Sequence, residues 1–385
     1  MSSTPAKPPI RWVNLLVLSL PPLVVFTLVP WYGISHGYDL FEWIGFVVLL
    51  SFCELSITGG YHRLWSHKAY KAHPVLRLVY ALGGACALQN DCITWASDHR
   101  RHHLYVDDNA KDPYSAGLGF WFSHFGWMLR DYESGREDLS NVKDLLKDPI
   151  LVWQRKYYLP LLLLMNIALP VAIGYYHGDI WGSLLLLGFL RLVLSQHFTY
   201  LINSAAHIWG RKNYDPRQTA CDNWFIALFT YGEGYHNFHH TFAWDYRNGV
   251  KWYHYDPTKW MIRAWNWLGL ASDLRTCSPY RLEKTRLDVQ YQNSLNQCEK
   301  LLHPSTWRKQ LEEEYELFIT TLNHWAELKQ QWYQVKSREL HDKLHELDAE
   351  HLKQHYLELK AQLQQQRRRW KSLQASFASM SLESA

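Results

Sequence analysis

Four stretches of the chain stay apolar for close to the roughly 20 residues a helix needs to cross a bilayer. They cover about 13–33, 41–58, 157–176 and 180–202. Short polar links at 35–40 and 177–179 join them in pairs, so the pattern predicts two helical hairpins. The first stretch is too long for the apolar part of a signal peptide, carries Pro21, Pro22 and Pro30, and is followed by no small-residue cleavage site. It reads as retained. A fifth apolar run, 74–88, is short for a span and reads as an interfacial or re-entrant helix, with 220–230 lying on the surface in the same way.

Charge orients this arrangement. Neither link holds Lys or Arg, whereas 59–156 holds thirteen and the N-terminal arm adds Lys7 and Arg11. The positive-inside rule therefore places both termini and the central region in the cytoplasm. The fold expected is an all-α integral membrane protein, with four transmembrane helices in two hairpins capped by a cytoplasmic helical domain. Glycine disappears after Gly269 and proline after Pro304, so 305–380 reads as a long helical extension, with Ser305 as N-cap. Leu311, Tyr315, Phe318, Leu322 and Trp325 step by four and three, as do Leu340, Leu344 and Leu347, and Tyr356, Leu359 and Leu363. The register slips between these blocks, which argues against one long coiled coil and for a helical hairpin. The domains expected are 1–275 in the membrane, 276–304 as linker and 305–380 as extension.

Composition narrows the function. The balance of 40 basic and 36 acidic residues gives no support for nucleic-acid binding. Six cysteines without a C-x-x-C pair do not form a disulfide framework. Aromatic residues at 15% suit a membrane interface.

The 21 histidines change the picture most. Isolated ones (His36, His73, His177, His254) and those of the tail (303, 324, 341, 345, 351, 355) read as structural or exposed. Three clusters do not: His62 with His67, His99 with His102 and His103, and His236 with His239 and His240. Positions i, i+3 and i+4 share a helix face, so the second and third clusters can each aim three imidazoles at one place. His62 and His67 fall about 140° apart on an ideal helix, which suits two different ions or a helix end. Imidazole is the commonest metal ligand among side chains, and eight of them exceed what one ion holds, so two metals are expected. No cysteine is interleaved as in structural zinc sites. Ions beside a lipid phase fit oxygen activation by iron, although residue types alone leave copper and zinc open.

The words around these clusters resemble the three histidine boxes of the membrane fatty acyl-CoA Δ9-desaturase family, the stearoyl-CoA desaturase type. They read Gly59-Gly60-Tyr61-His62-Arg63-Leu64-Trp65-Ser66-His67, Asp98-His99-Arg100-Arg101-His102-His103 and Gly232-Glu233-Gly234-Tyr235-His236-Asn237-Phe238-His239-His240. Ser123-His124-Phe125-Gly126-Trp127, Asn203-Ser204-Ala205-Ala206-His207 and Asp245-Tyr246-Arg247-Asn248 are similar too, and the resemblance runs over about 10–275. It implies a diiron centre held by nine histidines, His207 being the ninth, with Asn203 holding one iron through a water. The division of the nine between the irons stays open, and His124 and His197 match no ligand position. The implied reaction uses O₂ and two external electrons to place a cis double bond between carbons 9 and 10 of a saturated chain. Gln89, Asn90, Trp95, Asp98 and Tyr200 would line the substrate tunnel or bind its head group, and tunnel depth would be set near Leu50 and Glu54.

Two departures bear on the substrate. Animal members carry an arginine where this chain has Ser97, and an Arg-Lys pair where it has Asp131-Tyr132; those cations serve coenzyme A phosphates. Long-chain saturated acyl-CoA is the substrate implied, with an acyl-lipid as alternative. The tail has no counterpart of the cytochrome b5 domain fused to some fungal members, so electrons would come from a separate donor, a ferredoxin or a cytochrome b5-like protein with its reductase. A hydroxylase or alkane monooxygenase on a related scaffold is a second reading. Metal transport is a third, but it demands ionisable ligands inside the spans, where only Glu54 and Arg191 lie well inside.

Overall fold

A computed structural model describes residues 7–299, 304–339 and 346–383. The chain divides into two compact units, residues 1–212 with 217–276, and 277–385 with 213–216.

In the first unit, α1 (Trp12–Ser35) and α2 (Leu40–Leu55) form the first hairpin. Asp39 starts α2 with a capping box, its side chain accepting from Glu42 N–H while the Glu42 carboxylate accepts from Asp39 N–H. α2 does not stop at residue 58. It runs on as a π-helix from Ser56 to Ser66, giving an unbroken span Leu40–Ser66. α3 (Pro74–Ala87) begins at the His73–Pro74 pair, with proline at the first helical position where its missing N–H costs nothing. Asp91 caps α4 (Cys92–Leu104), and Asp148 caps α5 (Pro149–Lys156). α6 (Tyr158–His177) and α7 (Ile180–Ile208) make the second hairpin, the latter capped by Asp179.

Four helices are thus long and apolar enough to cross a membrane. They mark the chain as a multi-pass membrane protein, mostly helical as the pattern predicts. Phe46, Leu49 and Leu50 of α2 interlock with Leu186 and Leu187 of α7. α1 keeps none of its most apolar window buried, as expected of a helix facing lipid. α8 (Trp224–Phe229) leaves Trp224, Phe225, Leu228 and Phe229 exposed on one short helix. α9 (His236–Thr241) and α10 (Pro257–Trp267) come next. The β structure among the described residues is a two-residue antiparallel ladder, β1 (Lys71–Ala72) on β2 (Ala271–Ser272), besides isolated bridges. A core of Tyr61, Trp65, Tyr80, Ile93, Leu151 and Ile262 underlies the extension of α2. All six cysteines are free and buried.

The second unit differs from expectation in two ways. The segment 276–304, read as linker, contains the 20-residue helix α11 (Pro279–Cys298). Ser278 accepts from Arg281 N–H, Pro279 opens the first turn, and no glycine interrupts the later turns, so the helix has both its start signal and an unbroken body. Ser305 is not the N-cap of the next helix, because α12 (Pro304–Glu339) already begins one residue earlier at a proline. With α13 (Glu346–Glu383), α12 forms a seam of Leu311, Phe318, Leu322, Leu363 and Trp370. His303, Leu340, His341, Leu344 and His345 lie outside the described residues, as does the side chain of Leu347.

Candidate metal centre

The π-helical turn decides how the first histidine cluster works. Here hydrogen bonds run from residue i to i−5, so side chains five apart come onto one face. His67 N–H donates to His62 O (3.1 Å) and Ser66 Oγ to Tyr61 O (2.8 Å). Two glycines permit the turn to pack: a Cβ at Gly60 would lie 2.7 Å from Tyr80 Cβ, and one at Gly59 2.7 Å from Met261 Cε. His62 and His67 therefore do not part towards two groups; His67 stands at the helix end, the other placement that the spacing left open. Both point into one group with His99, His103 and His239.

The second group is His102, His207, His236 and His240. Neither of the two helical clusters keeps all three imidazoles together, contrary to the expectation from spacing. On α4, His99 and His103 share a face and lean to one group, while His102 leans to the other; α9 divides in the same way, His239 against His236 and His240. Each helix straddles two neighbouring centres, with the His103 and His240 rings stacked between them at 4.2 Å.

Within each group the Nε2 atoms converge. His62 and His239 approach to 2.9 Å, His67 and His99 to 2.7 Å, and His103 and His239 to 3.0 Å. In the second group His207 and His236 lie 3.0 Å apart, His236 and His240 3.1 Å, and His102 and His240 3.3 Å. Three of the outer Nδ1 atoms face acceptors, whereas those of His236 and His239 are buried without a hydrogen-bond partner. His102 Nδ1 faces Asp112 (2.8 Å), His62 Nδ1 faces Glu233 (3.0 Å), and His207 Nδ1 faces Thr219 Oγ1 (2.9 Å) and Asp107 (3.3 Å). A carboxylate behind the ring holds the proton on Nδ1 and leaves the Nε2 lone pair pointing inward. Burial and the neighbouring imidazoles push His67, His99, His103, His236, His239 and His240 well below the usual histidine range, so these rings are neutral donors. Nitrogen lone pairs crowded inward from every side repel one another unless a cation lies among them. The donor set, without thiolate and with carboxylates behind it, fits two nitrogen-rich metal ions.

Sequence reasoning missed the supporting charges. Arg63 is fully buried, donating to Glu233 (2.9 Å), to Asp256 (3.0 Å) and to Tyr246 O (2.8 Å). It ties the α2 extension to the segment before α9 and to the cap of α10. Asp112, also fully buried, accepts from the backbone N–H of Asp107 and Tyr114 besides facing His102. Nothing periodic marks these residues; the one signal is that acids stand beside the histidine words, as in Gly232-Glu233-Gly234.

A cavity of about 430 Å³ lies beside the centre, lined by Gln89, Asn90, Trp95, Asp98 and Tyr200 together with Arg11, Asn14, Thr199 and Asn203. Trp95, Thr199 and Asn203 also line a small inner cavity beside His62, His99, His102 and His236. Trp95 stacks on His99 at 5.0 Å. Gln89 donates to Thr199 Oγ1 (2.8 Å) and accepts from Trp95 Nε1 (3.3 Å), joining the α3–α4 turn to α7. Leu50 and Glu54 line neither cavity, because α2 turns them towards α7, where Leu50 joins the apolar seam. At the cavity's polar end, burial raises the Asp98 carboxyl to about 7 despite Arg101 at 2.6 Å. Ser97 donates to Asn141 Oδ1 (2.7 Å), and Asp131 pairs with Arg11 (2.6 Å). His124 and His197 belong to neither group; they contact each other (3.0 Å), and His124 Nδ1 contacts Ser204 Oγ (2.9 Å).

With this geometry in place, the comparisons with known proteins agree on one family. The profile of the fatty acid desaturase family matches residues 41–269. Acyl-CoA desaturase 1 of Saccharomyces cerevisiae is 39% identical over 291 residues, covering 74% of this chain and 56% of the yeast protein. Stearoyl-CoA desaturase 5 of Homo sapiens is 39% identical over 71% of this chain and 83% of its own. Acyl-CoA Delta(11) desaturase of Spodoptera littoralis is 37% identical over 64% and 75%. The chain belongs to the fatty acid desaturase family. It spans little more than half the length of the Saccharomyces relative, and 57% of a probable acyl-CoA desaturase of Schizosaccharomyces pombe.

Proposed function

We propose that the protein is an O₂-dependent acyl desaturase, which places a cis double bond at the Δ9 position of a long saturated chain carried on coenzyme A. The observation that carries this reading is the cavity that shares Trp95, Thr199 and Asn203 with a small pocket lined by histidines of both groups. His62, His67, His99, His103 and His239 would hold one iron, and His102, His207, His236 and His240, with a water on Asn203, the other. That iron pair would supply the oxidising power to remove hydrogen from an unactivated chain.

The chain's own residues supply position. A featureless polymethylene chain has no polar handle, so its register against the histidines must come from cavity shape and from the anchored head group. The Gln89 bridge between Trp95 and Thr199 fixes the wall nearest the histidines. Tyr200, buried beside it, narrows the same wall. Positive charge density at 59–156 supports a cytoplasmic centre and termini, reached by electrons from a separate donor protein. The names of the relatives favour acyl-CoA. One observation favours an acyl-lipid instead: the arginines at the polar end, Arg11, Arg101 and Arg155, are each already paired with a carboxylate.

Expression in a desaturase-deficient host, followed by gas chromatography of total fatty acids, tests the reading. Monounsaturated Δ9 products are expected. Products at Δ11, the position named for the Spodoptera relative, or saturated chains alone, would refute it.

A further inference from the structure

A third group of side chains that could hold an ion lies at the other end of the hairpins. Asp39 and Glu42 come from the first hairpin and His177 from the second, and one ligand atom of each lies within 4.8 Å of the others. His177 Nε2 sits 2.9 Å from Asp39 Oδ2. Glu42 is 2% exposed. Its Oε2 accepts from Asp39 N–H (3.0 Å), but its Oε1 is buried without any hydrogen-bond partner. Asp179 approaches from the second hairpin. Its Oδ1 is used by Tyr32 O–H (2.7 Å) and Gly182 N–H (2.8 Å). A Cβ at Gly182 would lie 2.0 Å from Glu42 Oε1 and 2.5 Å from Asp179 Oδ2, so two carboxylate oxygens from different hairpins face one point that only a glycine leaves open.

A buried carboxylate oxygen without a donor is costly, and a second carboxylate beside it raises the cost. The capping box satisfies one oxygen of Glu42 and explains nothing about the other. The imidazole weighs against calcium or magnesium, which take all-oxygen shells. One histidine nitrogen with two carboxylate oxygens, and the partly exposed Asp39 leaving room for water, suits a tetrahedral ion such as zinc.

We propose that Asp39, Glu42 and His177 form a divalent-cation site of the zinc class, with Asp179 at its edge, which ties the two hairpins together. Glu42 and His62 lie on one continuous helix, about 30 Å apart at 1.5 Å per residue. The site is therefore separate from the histidine centre.

The test is a zinc chloride titration of the purified full-length protein in detergent, read by elemental analysis and by the thermal unfolding midpoint. The wild type is expected to bind one zinc per chain beyond its other metal, with the midpoint rising by several degrees and iron content unchanged. Glu42→Gln keeps the capping box, since glutamine serves there as well, and should abolish both zinc uptake and the rise. Gly182→Ala should abolish them by filling the space. Failure of the wild type to retain zinc, or equal uptake and equal stabilisation in Glu42→Gln, would overturn the proposal. Since iron is measured in the same samples, this outcome is independent of the histidine centre.

Discussion

Single residues around the centre divide into those that face inward and those that hold them. Asp112 belongs to the second kind: it fixes the His102 tautomer and is itself fixed by two backbone donors. Asp112→Asn keeps the shape and weakens the acceptor. Iron affinity should fall about 10–100-fold, the usual cost of losing an outer-shell partner, with the fold retained by circular dichroism. The neutral imidazoles make a second prediction. In the unfolded chain they titrate near their ordinary pKa of about 6.5, whereas the folded protein keeps His67, His99, His103, His236, His239 and His240 unprotonated well below it. The unfolded state thus binds more protons as pH falls. Stability of the metal-free protein is complete above that pH and is lost below it, by up to about 1.4 kcal/mol per pH unit for each group. The unfolding midpoint should drop steeply between about pH 6.5 and 5 without iron; a flat profile would contradict the burial described. The histidine words were legible because residue type and spacing both speak for metal. Asp107, Asp112 and Glu233 were not, because a carboxylate near a histidine in sequence carries no periodic signature, and its role depends on where the fold turns it.

At the scale of elements, the α2 extension shows why spacing alone misled. An ideal α-helix separates His62 from His67; a π-turn unites them, and hydropathy cannot distinguish the two windings. The glycine pair is the local sign of this turn, since each admits an atom of a neighbouring side chain where a Cβ would stand. Gly60→Ala should force Tyr80 aside and destabilise the protein by about 1–3 kcal/mol, in the range of overpacked cores. Its iron content should fall more than that of a control such as Gly135→Ala, where the nearest atoms to a Cβ lie 4.0 Å away. The hairpin links were readable to within a residue or two, because apolar length is a strong signal, whereas α2 and α7 run on past their apolar stretches to Ser66 and Ile208. Helix α11 was not, since 276–304 is polar and its start depends on the local chemistry of Ser278 and Pro279.

For the whole molecule, the boundary at Thr276 separates all nine clustered histidines from the helices of the second unit. Deleting residues 277–385 should leave iron stoichiometry and Δ9 product formation largely intact, measured on membranes expressing equal amounts of protein. Loss of both would show that the helical extension supports the catalytic unit. The architecture of that unit was legible from four apolar stretches and two links without Lys or Arg, whereas the role of the extension was not, because a polar amphipathic helix states that it has a partner face and no more.

The five-histidine group draws on positions as distant as 62 and 239, and the four-histidine group on 102 through 240. No partial polypeptide that ends before α9 owns the full histidine set of either group. Synthesis must pass residue 240, with all four hydrophobic segments already made, before either ion of the proposed centre could find a home. Metallation would thereby wait for the third histidine cluster, and a chain terminated before it would be an inert bundle rather than a half-loaded source of stray oxidant.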